Sequence, residues 1–227
     1  MNLRRLAAIL AIVAAVLVAL PYAIVPLYRF VMPVSTPMIW RFAIGARVER
    51  IVVPLSRIAP ALRLTVIAAE DGSFCHNPGI DLGEIRAALR QSDDNLDEAR
   101  GASTITQQTA KNLFFWQGRS FIRKVLEVPL ALWMTLVLPK RRILEIYLNI
   151  AEWGPNGVFG AEAGARFAFG RSASDLNIYQ AAELAAILPN PVLRSARNPT
   201  AIVRRLAGIY VRRAGDFSNL DICVRGP

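Results

Sequence analysis

The residues best suited to chemistry lie between positions 70 and 127, where carboxylates, amides and cations follow one another. Glu70 ends an apolar run (64–69) and is followed directly by Asp71. An acid at the end of such a run is partly removed from water, which raises the pKa of its carboxyl toward the range of a general base. The alternative is that Glu70 and Asp71 are two solvated acids at the end of a helix or strand.

A polar segment, GASTITQQTAKN (101–112), predicts a capped helix. Thr104 suits the N-cap position and Gln107 the third helical position, and together they form a capping box. The helix places Gln107 and Lys111 one turn apart on one face, with Gln108 beside them. Free backbone N–H groups at the start of the helix and a lysine from its next turn form a phosphate site, although a capped surface helix has the same pattern.

A third group of charged residues follows this helix. Arg123 and Glu127 are four residues apart, a spacing that commonly gives an ordinary salt bridge along a helix. Arg119 and Lys124 lie close by in the sequence, so a second interpretation is a cationic cluster around one carboxylate.

Histidine and cysteine are too rare for several other kinds of site. His76 is the single histidine, so a histidine-rich metal site is excluded and no Ser/His/Asp or Cys/His catalytic set can be placed. The two cysteines, Cys75 and Cys223, exclude a four-cysteine zinc module. They could pair in an oxidising compartment or remain free, buried thiols. Carboxylate chemistry in this chain therefore depends on glutamate and aspartate.

The charge of the chain indicates an anionic partner. With 27 Lys+Arg and 17 Asp+Glu among 227 residues, the formal net charge is +10. Such an excess favours a nucleic acid, a phospholipid surface or a phosphorylated substrate. No nucleic-acid-binding module or basic strand with interleaved aromatic residues is present, so we do not expect a nucleic acid.

An uncharged segment near the N-terminus predicts a membrane anchor. Residues 6–28 would form a helix about 34 Å long, enough to cross a hydrocarbon core of about 30 Å. A cleaved signal peptide would have a shorter apolar region followed by a polar cleavage site, so an uncleaved anchor is favoured. We expect residues 1–28 to form the cytoplasmic tip and anchor, 29–50 an interfacial linker and 51–227 the functional domain.

Helical periodicity dominates the remainder of the chain, which indicates a mainly α domain. We predict helices over 84–90, 141–150 and 179–188, an acidic polar loop over 91–100 and a buried helix within 125–138. The last of these is too short to span a bilayer.

Several of these segments, taken together, resemble the peptidoglycan glycosyltransferases, family 51 of the glycosyltransferases. The similar stretches, in order, are E70-D71-x-x-F74, G101-A-S-T-I-T-Q-Q-x-x-K-N112, R123-K124-x-x-E127, K140-R-R-I-L-E-I-Y-L-N149-I-A-E-W-G154 and L188-P-N-P191. The resemblance is to monofunctional members, since no transpeptidase domain follows before Pro227. It implies a lysozyme-like, two-lobed, mainly α domain with one N-terminal transmembrane helix.

The resemblance also implies a reaction and a role for each matching residue. The family polymerises lipid II into β-1,4-linked glycan strands by inverting transfer, with release of undecaprenyl diphosphate. Glu70 would be the base that deprotonates the acceptor hydroxyl, and Glu127 would orient cations or substrate. Lys111 and Arg119 would hold the pyrophosphate, and Lys124 would support the acceptor region. The remaining polar residues that would bind or orient substrate are Ser103, Gln107 and Asn112.

Partners and location follow from the same resemblance. We expect lipid II, the growing glycan strand, membrane phospholipid and other proteins of wall synthesis or division as partners. The expected location is the bacterial inner membrane, with the catalytic domain in the periplasm. A divalent ion such as Mg²⁺ could bridge the substrate pyrophosphate, but the sequence assigns it no protein ligand.

The sequence departs from the family pattern at two positions and in its arginine-rich tail after about residue 200, which offers no distinct site. The family usually has a histidine three residues after Phe74, where this chain has Asn77, and a glutamate at Thr135. Two other functions compete with polymerisation. The same fold class permits a lytic transglycosylase that cleaves glycan with a single glutamate. The displaced histidine suggests a membrane-anchored scaffold that binds lipid II without turnover.

Overall fold

The computed structural model of the chain describes residues 2–91, 103–118, 120–216 and 219–225. Within these residues the protein is mainly helical, as predicted. The predicted acidic loop 91–100 lies, beyond Gln91, outside the described residues. The helices are α1 (Leu3–Ile24), α2 (Thr36–Ala43), α3 (Pro60–Glu70), α4 (Leu82–Gln91), α5 (Ile105–Phe114), α6 (Phe121–Val137), α7 (Lys140–Ile150), α8 (Ala161–Phe169), α9 (Ile178–Ile187) and α10 (Ala201–Asp216).

The first helix forms the predicted membrane-spanning candidate. Together with the short 3₁₀ helix Val25–Arg29, it gives an apolar segment long enough to cross a bilayer, and none of the side chains of α1 is buried. The end of this segment contacts the rest of the protein, because Trp133 Nε1 of α6 donates a hydrogen bond to the carbonyl oxygen of Tyr22 (3.0 Å). The segment therefore fits an anchor that is attached to the folded domain.

The helices beyond the anchor pack in two groups. Helices α3, α9 and α10 pack against one another, and α5 packs against α6 and α7. The predicted apolar face of α7 is confirmed, since Ile143, Ile146, Tyr147 and Ile150 are all buried. Glu70 ends α3, so it lies at the edge of the first group, and a side chain of the second group reaches it, as described below.

The sheet is small and contributes little to the site. Its three strands are β1 (Glu49–Arg50), β2 (Glu152–Gly154) and β3 (Val158–Phe159), in the order β1-β3-β2. Strand β3 pairs parallel to β1 and antiparallel to β2.

The prediction of a buried helix within 125–138 is partly wrong. Helix α6 buries Leu130 and Met134, whereas Val125 and Leu136 on other faces are 53% and 77% exposed. The apolar pattern identified the helix, but it could not show which apolar face meets protein and which does not.

Gly79 lies in the loop after α3, where its backbone packs closely against α6. We expect Gly79→Ala to unfold more easily than the wild type. Its φ is +109°, and a Cβ there would lie 2.6 Å from both the carbonyl oxygen of Ala131 and Oγ1 of Thr135. Backbone strain and overlap together should lower the free energy of unfolding by about 3 kcal/mol. Denaturant unfolding measures the change. Gly72→Ala in the same loop is the control because nothing lies within 4 Å of its Cβ position; equal stabilities of the two variants would contradict the expectation.

Candidate active site

Glu70 is held by an amide that is itself fixed by a buried tyrosine. Gln108 Nε2 donates to Glu70 Oε2 (2.8 Å), and the hydroxyl of Tyr147 donates to Gln108 Oε1 (3.0 Å). Tyr147 is only 1% exposed, so this chain of bonds runs from the core of α7 through α5 to the end of α3. Among the described residues no protein group donates a hydrogen bond to the other carboxylate oxygen, Oε1. One oxygen of Glu70 is therefore oriented while the second remains available.

Burial raises the pKa of the Glu70 carboxyl above its ordinary value. The hydrogen bond from Gln108 and the positive charges of Lys111 and Arg194 act in the opposite direction. The carboxyl is thus partly shielded from water but close to cations, which is the environment expected for a base that must take and release a proton.

Lys111 is a cation whose charge interacts with both Glu70 and Glu127. Burial lowers the pKa of its ammonium group, as does the charge of Arg123, whereas Glu127 and Glu70 favour the charged form. Lys111 is on α5, one turn before the end of the helix, and its side chain is partly buried. Its interactions with both carboxylates link Glu70 to the second charged group.

The second charged group is an ion pair within α6. Arg123 Nη1 bonds to Glu127 Oε1, as the four-residue spacing predicted, and both residues are buried. Arg123 Nη2 also donates to the carbonyl oxygen of Gly118 (2.6 Å), which fixes the segment before α6. The charge of Lys124, which is partly buried, also acts on Glu127. Arg119, the other predicted pyrophosphate ligand, lies outside the described residues.

The predicted capping box at the start of α5 is confirmed, and it determines where Gln107 lies. Thr104 Oγ1 accepts from the Gln107 backbone N–H, and Gln107 Oε1 accepts from Thr104 N–H (3.0 Å). Gln107 is 1% exposed. Its amide oxygen is therefore engaged in the cap. The amide that meets Glu70 is the next one, Gln108, which was not among the predicted site residues.

The two other predicted ligands on this segment lie at different places. Ser103 is partly buried and lines the same cleft as Glu70. Asn112 is also partly buried, and its carbonyl oxygen accepts a hydrogen bond from Thr36 Oγ1 of α2 (3.2 Å). Their contacts with substrate stay predictions.

Asp71 has a structural position and is not a second solvated acid. It is buried, and its carboxylate accepts hydrogen bonds from the backbone N–H of Ile105 (3.0 Å) and from Asn77 Nδ2 (2.8 Å). It thereby attaches the start of α5 to the loop after Glu70. Burial raises the pKa of Asp71, and these hydrogen bonds oppose the increase.

Asn77, at the position where the resemblance predicts a histidine, is held by several side-chain bonds. Besides its bond to Asp71, its Oδ1 accepts from Gly79 N–H (2.9 Å) and from Lys140 Nζ (3.1 Å). Burial lowers the pKa of Lys140 to about 8. His76 is exposed, so it does not take over the position. Through these bonds Asn77 attaches the loop after Phe74 to Asp71 and Lys140.

A cleft of about 430 Å³ opens beside Glu70. Its walls include Asp71 and Ser103, together with Arg213 of α10 and Leu220 beyond that helix. Lys111 does not line this cleft, although its charge acts on Glu70, which does.

Comparison with known proteins shows the family to which this chain belongs. The model of the transglycosylase family matches residues 38–213. The biosynthetic peptidoglycan transglycosylase of Rhodopseudomonas palustris (strain TIE-1) is 57% identical over 211 residues, 93% of this chain and 89% of that protein. The protein with the same name from Nitrobacter hamburgensis is 56% identical over 212 residues (93% of each chain), and that from Brucella suis biovar 1 is 48% identical over 212 residues (92% and 94%). The chain therefore belongs to the transglycosylase family, and it is a glycosyltransferase with the mainly helical, lysozyme-like fold of that family.

Proposed function

We propose that the protein polymerises lipid II into β-1,4-linked glycan strands for the bacterial cell wall, with inversion at the anomeric carbon and release of undecaprenyl diphosphate. Membership of the transglycosylase family supports this reaction. The observation that carries the proposal is the position of Glu70, one of whose oxygens is oriented by Gln108 while Lys111 acts on it electrostatically.

In the proposed step, Oε1 of Glu70 takes the proton from the 4-hydroxyl of the acceptor sugar. The oxygen that loses the proton bonds to the anomeric carbon of the donor, and the bond from that carbon to the pyrophosphate breaks. Diphosphate leaves without protonation, so the site needs cations in place of a second carboxylic acid. Lys111 and Arg119 supply that positive charge in our proposal.

The Arg123–Glu127 pair positions this part of the site. Because Glu127 neutralises a buried arginine and also acts on Lys111, we propose that it holds the cations in place. Lys124 supports the acceptor region, and Ser103, Gln107 and Asn112 bind or orient substrate. Gln107 would orient substrate only indirectly, because its side chain caps α5.

A resident metal ion does not fit the described residues. They contain no group of three or more histidine, cysteine, aspartate or glutamate side chains that could hold one. If Mg²⁺ takes part, we propose that the substrate pyrophosphate binds it.

We propose that the protein is anchored in the inner membrane with its domain in the periplasm. The apolar segment Leu3–Arg29 supports the anchor. The exposed Ile39, Trp40 and Phe42 of α2 suit contact with phospholipid headgroups. Cys75 and Cys223, whose pairing the sequence left open, form a disulfide bond, which supports an oxidising compartment. Interaction with other proteins of wall synthesis or division stays a prediction.

Incubation of the purified full-length chain with labelled lipid II in detergent tests the function. We expect polymer that is separated by electrophoresis and digested by a muramidase. Failure to form polymer across several detergents and added divalent ions would contradict the proposal. Soluble fragments released from isolated cell wall would instead indicate a lytic enzyme, and tight binding without turnover would indicate a scaffold.

The dependence of kcat/KM on pH should show two limbs. Activity rises as Glu70 loses its proton, with a midpoint above the ordinary 4.5 because burial raises this pKa. It falls as Lys111 loses its proton, with a midpoint below the ordinary 10.5 because burial and Arg123 lower that pKa. Polymerisation rates over a pH series measure both limbs. A rate that is constant between about pH 4 and pH 10 would exclude these roles.

A further inference from the structure

The cleft beside Glu70 has a wall that comes from the C-terminal part of the chain. Arg213, near the end of α10, and Leu220, in the turn at 219–225, line the cleft together with Glu70 and Ser103. The family model ends at residue 213, so Leu220 lies beyond the part of the chain that it matches.

The C-terminal turn (219–225) is ordered internally by its own contacts. Leu220 and Val224 are buried, and Val224 N–H donates to the carbonyl oxygen of Asp221 (2.9 Å). Asp221 is also buried and pairs with Arg225 Nε (2.6 Å). A turn this short buries only a few side chains. The free energy gained by that burial offsets only a small part of the conformational entropy lost when the turn becomes ordered. A covalent link therefore contributes a large part of what keeps it in position.

That link joins the wall of the cleft to the loop beside the base. The disulfide bond connects Cys223, three residues after Leu220, to Cys75, five residues after Glu70, and the two Cα atoms are 5.4 Å apart. Phe74, next to Cys75, is fully buried, and Lys140 Nζ lies 4.7 Å from the centre of its ring. The cysteine in the loop is thus on a rigid support, and the bridge transmits that rigidity to the turn.

We propose that this disulfide-held C-terminal turn is a substrate-binding wall, and that Cys75 and Cys223 are positioning residues for it. The inference rests on the proposed function and adds a binding surface to it. Arg213 offers a guanidinium to a carboxylate or phosphate group of the lipid-linked sugar, and Leu220 packs against the sugar portion. The described lining also includes the acids Glu70, Asp71, Asp81 and Glu84, so Arg213 is its single cation and can hold one anionic group of the substrate.

The test compares cleft-lining residues with neighbours that do not line the cleft. We expect Leu220→Trp and Arg213→Ala each to raise KM for lipid II at least about fivefold, with kcat changed less than about twofold. The matched controls are Ile222→Trp, in the same turn, and Arg212→Ala, beside Arg213 on α10. Both positions are exposed outside the cleft lining, so their KM should equal that of the wild type.

The positioning role of the disulfide bond is tested separately from its effect on stability. In the double variant Cys75→Ser/Cys223→Ser, at a temperature where it remains folded, KM should rise as it does in Leu220→Trp. A lower melting temperature with an unchanged KM would assign the bridge a purely stabilising role and overturn its positioning role. If the double variant does not fold, Leu220→Trp and Arg213→Ala still decide on the wall: wild-type KM in both overturns the proposal. The wild-type chain is assayed in parallel. If it forms polymer, the proposed function holds even where the variants overturn the substrate-binding wall.

Discussion

Glu70→Gln should form polymer from lipid II about 10²–10⁴-fold more slowly than the wild type, which is the range for loss of a general base. Glutamine has nearly the same shape, and its carbonyl oxygen can accept the hydrogen bond that Gln108 now donates to Glu70. The variant should therefore keep its fold but lack an oxygen that can take a proton. Initial rates of polymerisation, with near-ultraviolet circular dichroism as a check on the fold, measure the effect.

The matched control for this variant is Glu183→Gln on α9. Burial also raises the pKa of Glu183, which is partly buried, but Glu183 does not line the cleft. We expect its rate to be within about twofold of the wild type. If Glu70→Gln is folded and polymerises as fast as Glu183→Gln, Glu70 is not the base.

Lys111→Met should lower kcat by about 10²–10³-fold, the usual effect of removing one group that stabilises developing charge. Lys111 interacts with both Glu70 and Glu127, and methionine fills a similar volume without the charge. Rates at saturating lipid II measure the loss.

Lys111→Arg separates the effect of charge from that of shape. A guanidinium keeps the positive charge at high pH, so this variant should recover part of the rate and shift the alkaline limb of the pH profile to higher pH. Equal, wild-type rates for both variants at position 111 would show that the cation has no part in the reaction.

Local features of the fold could be predicted from the sequence because they depend on neighbouring residues. The capping box of Thr104 and Gln107 involves two residues of one turn, and the buried face of α7 follows from helical spacing. The capping box also indicates which amides of this segment are free to contact other elements. Once Gln107 is engaged in the cap, Gln108 and Asn112 are the amides left on this segment to meet other elements, and Gln108 is the one that meets Glu70.

Long-range contacts could not be predicted in the same way. Gln108 meets Glu70 across 38 residues and Tyr147 across 39, and the disulfide bond joins residues 148 positions apart. Spacing along one helix carries no information about such pairs. The roles of Glu70 and Lys111 came from the family resemblance, whereas the bonds that orient Glu70 came from the structure.

Titration of the Glu70 carboxyl shows whether Glu70 and Lys111 form one electrostatically coupled site. With ¹³C-labelled glutamate side chains, nuclear magnetic resonance follows the ionisation of Glu70, which is assigned by its loss in Glu70→Gln. We expect the pKa of Glu70 to lie above its ordinary value in the wild type and to rise further in Lys111→Met, because a nearby positive charge is lost. An identical Glu70 titration in the wild type and in Lys111→Met would contradict it.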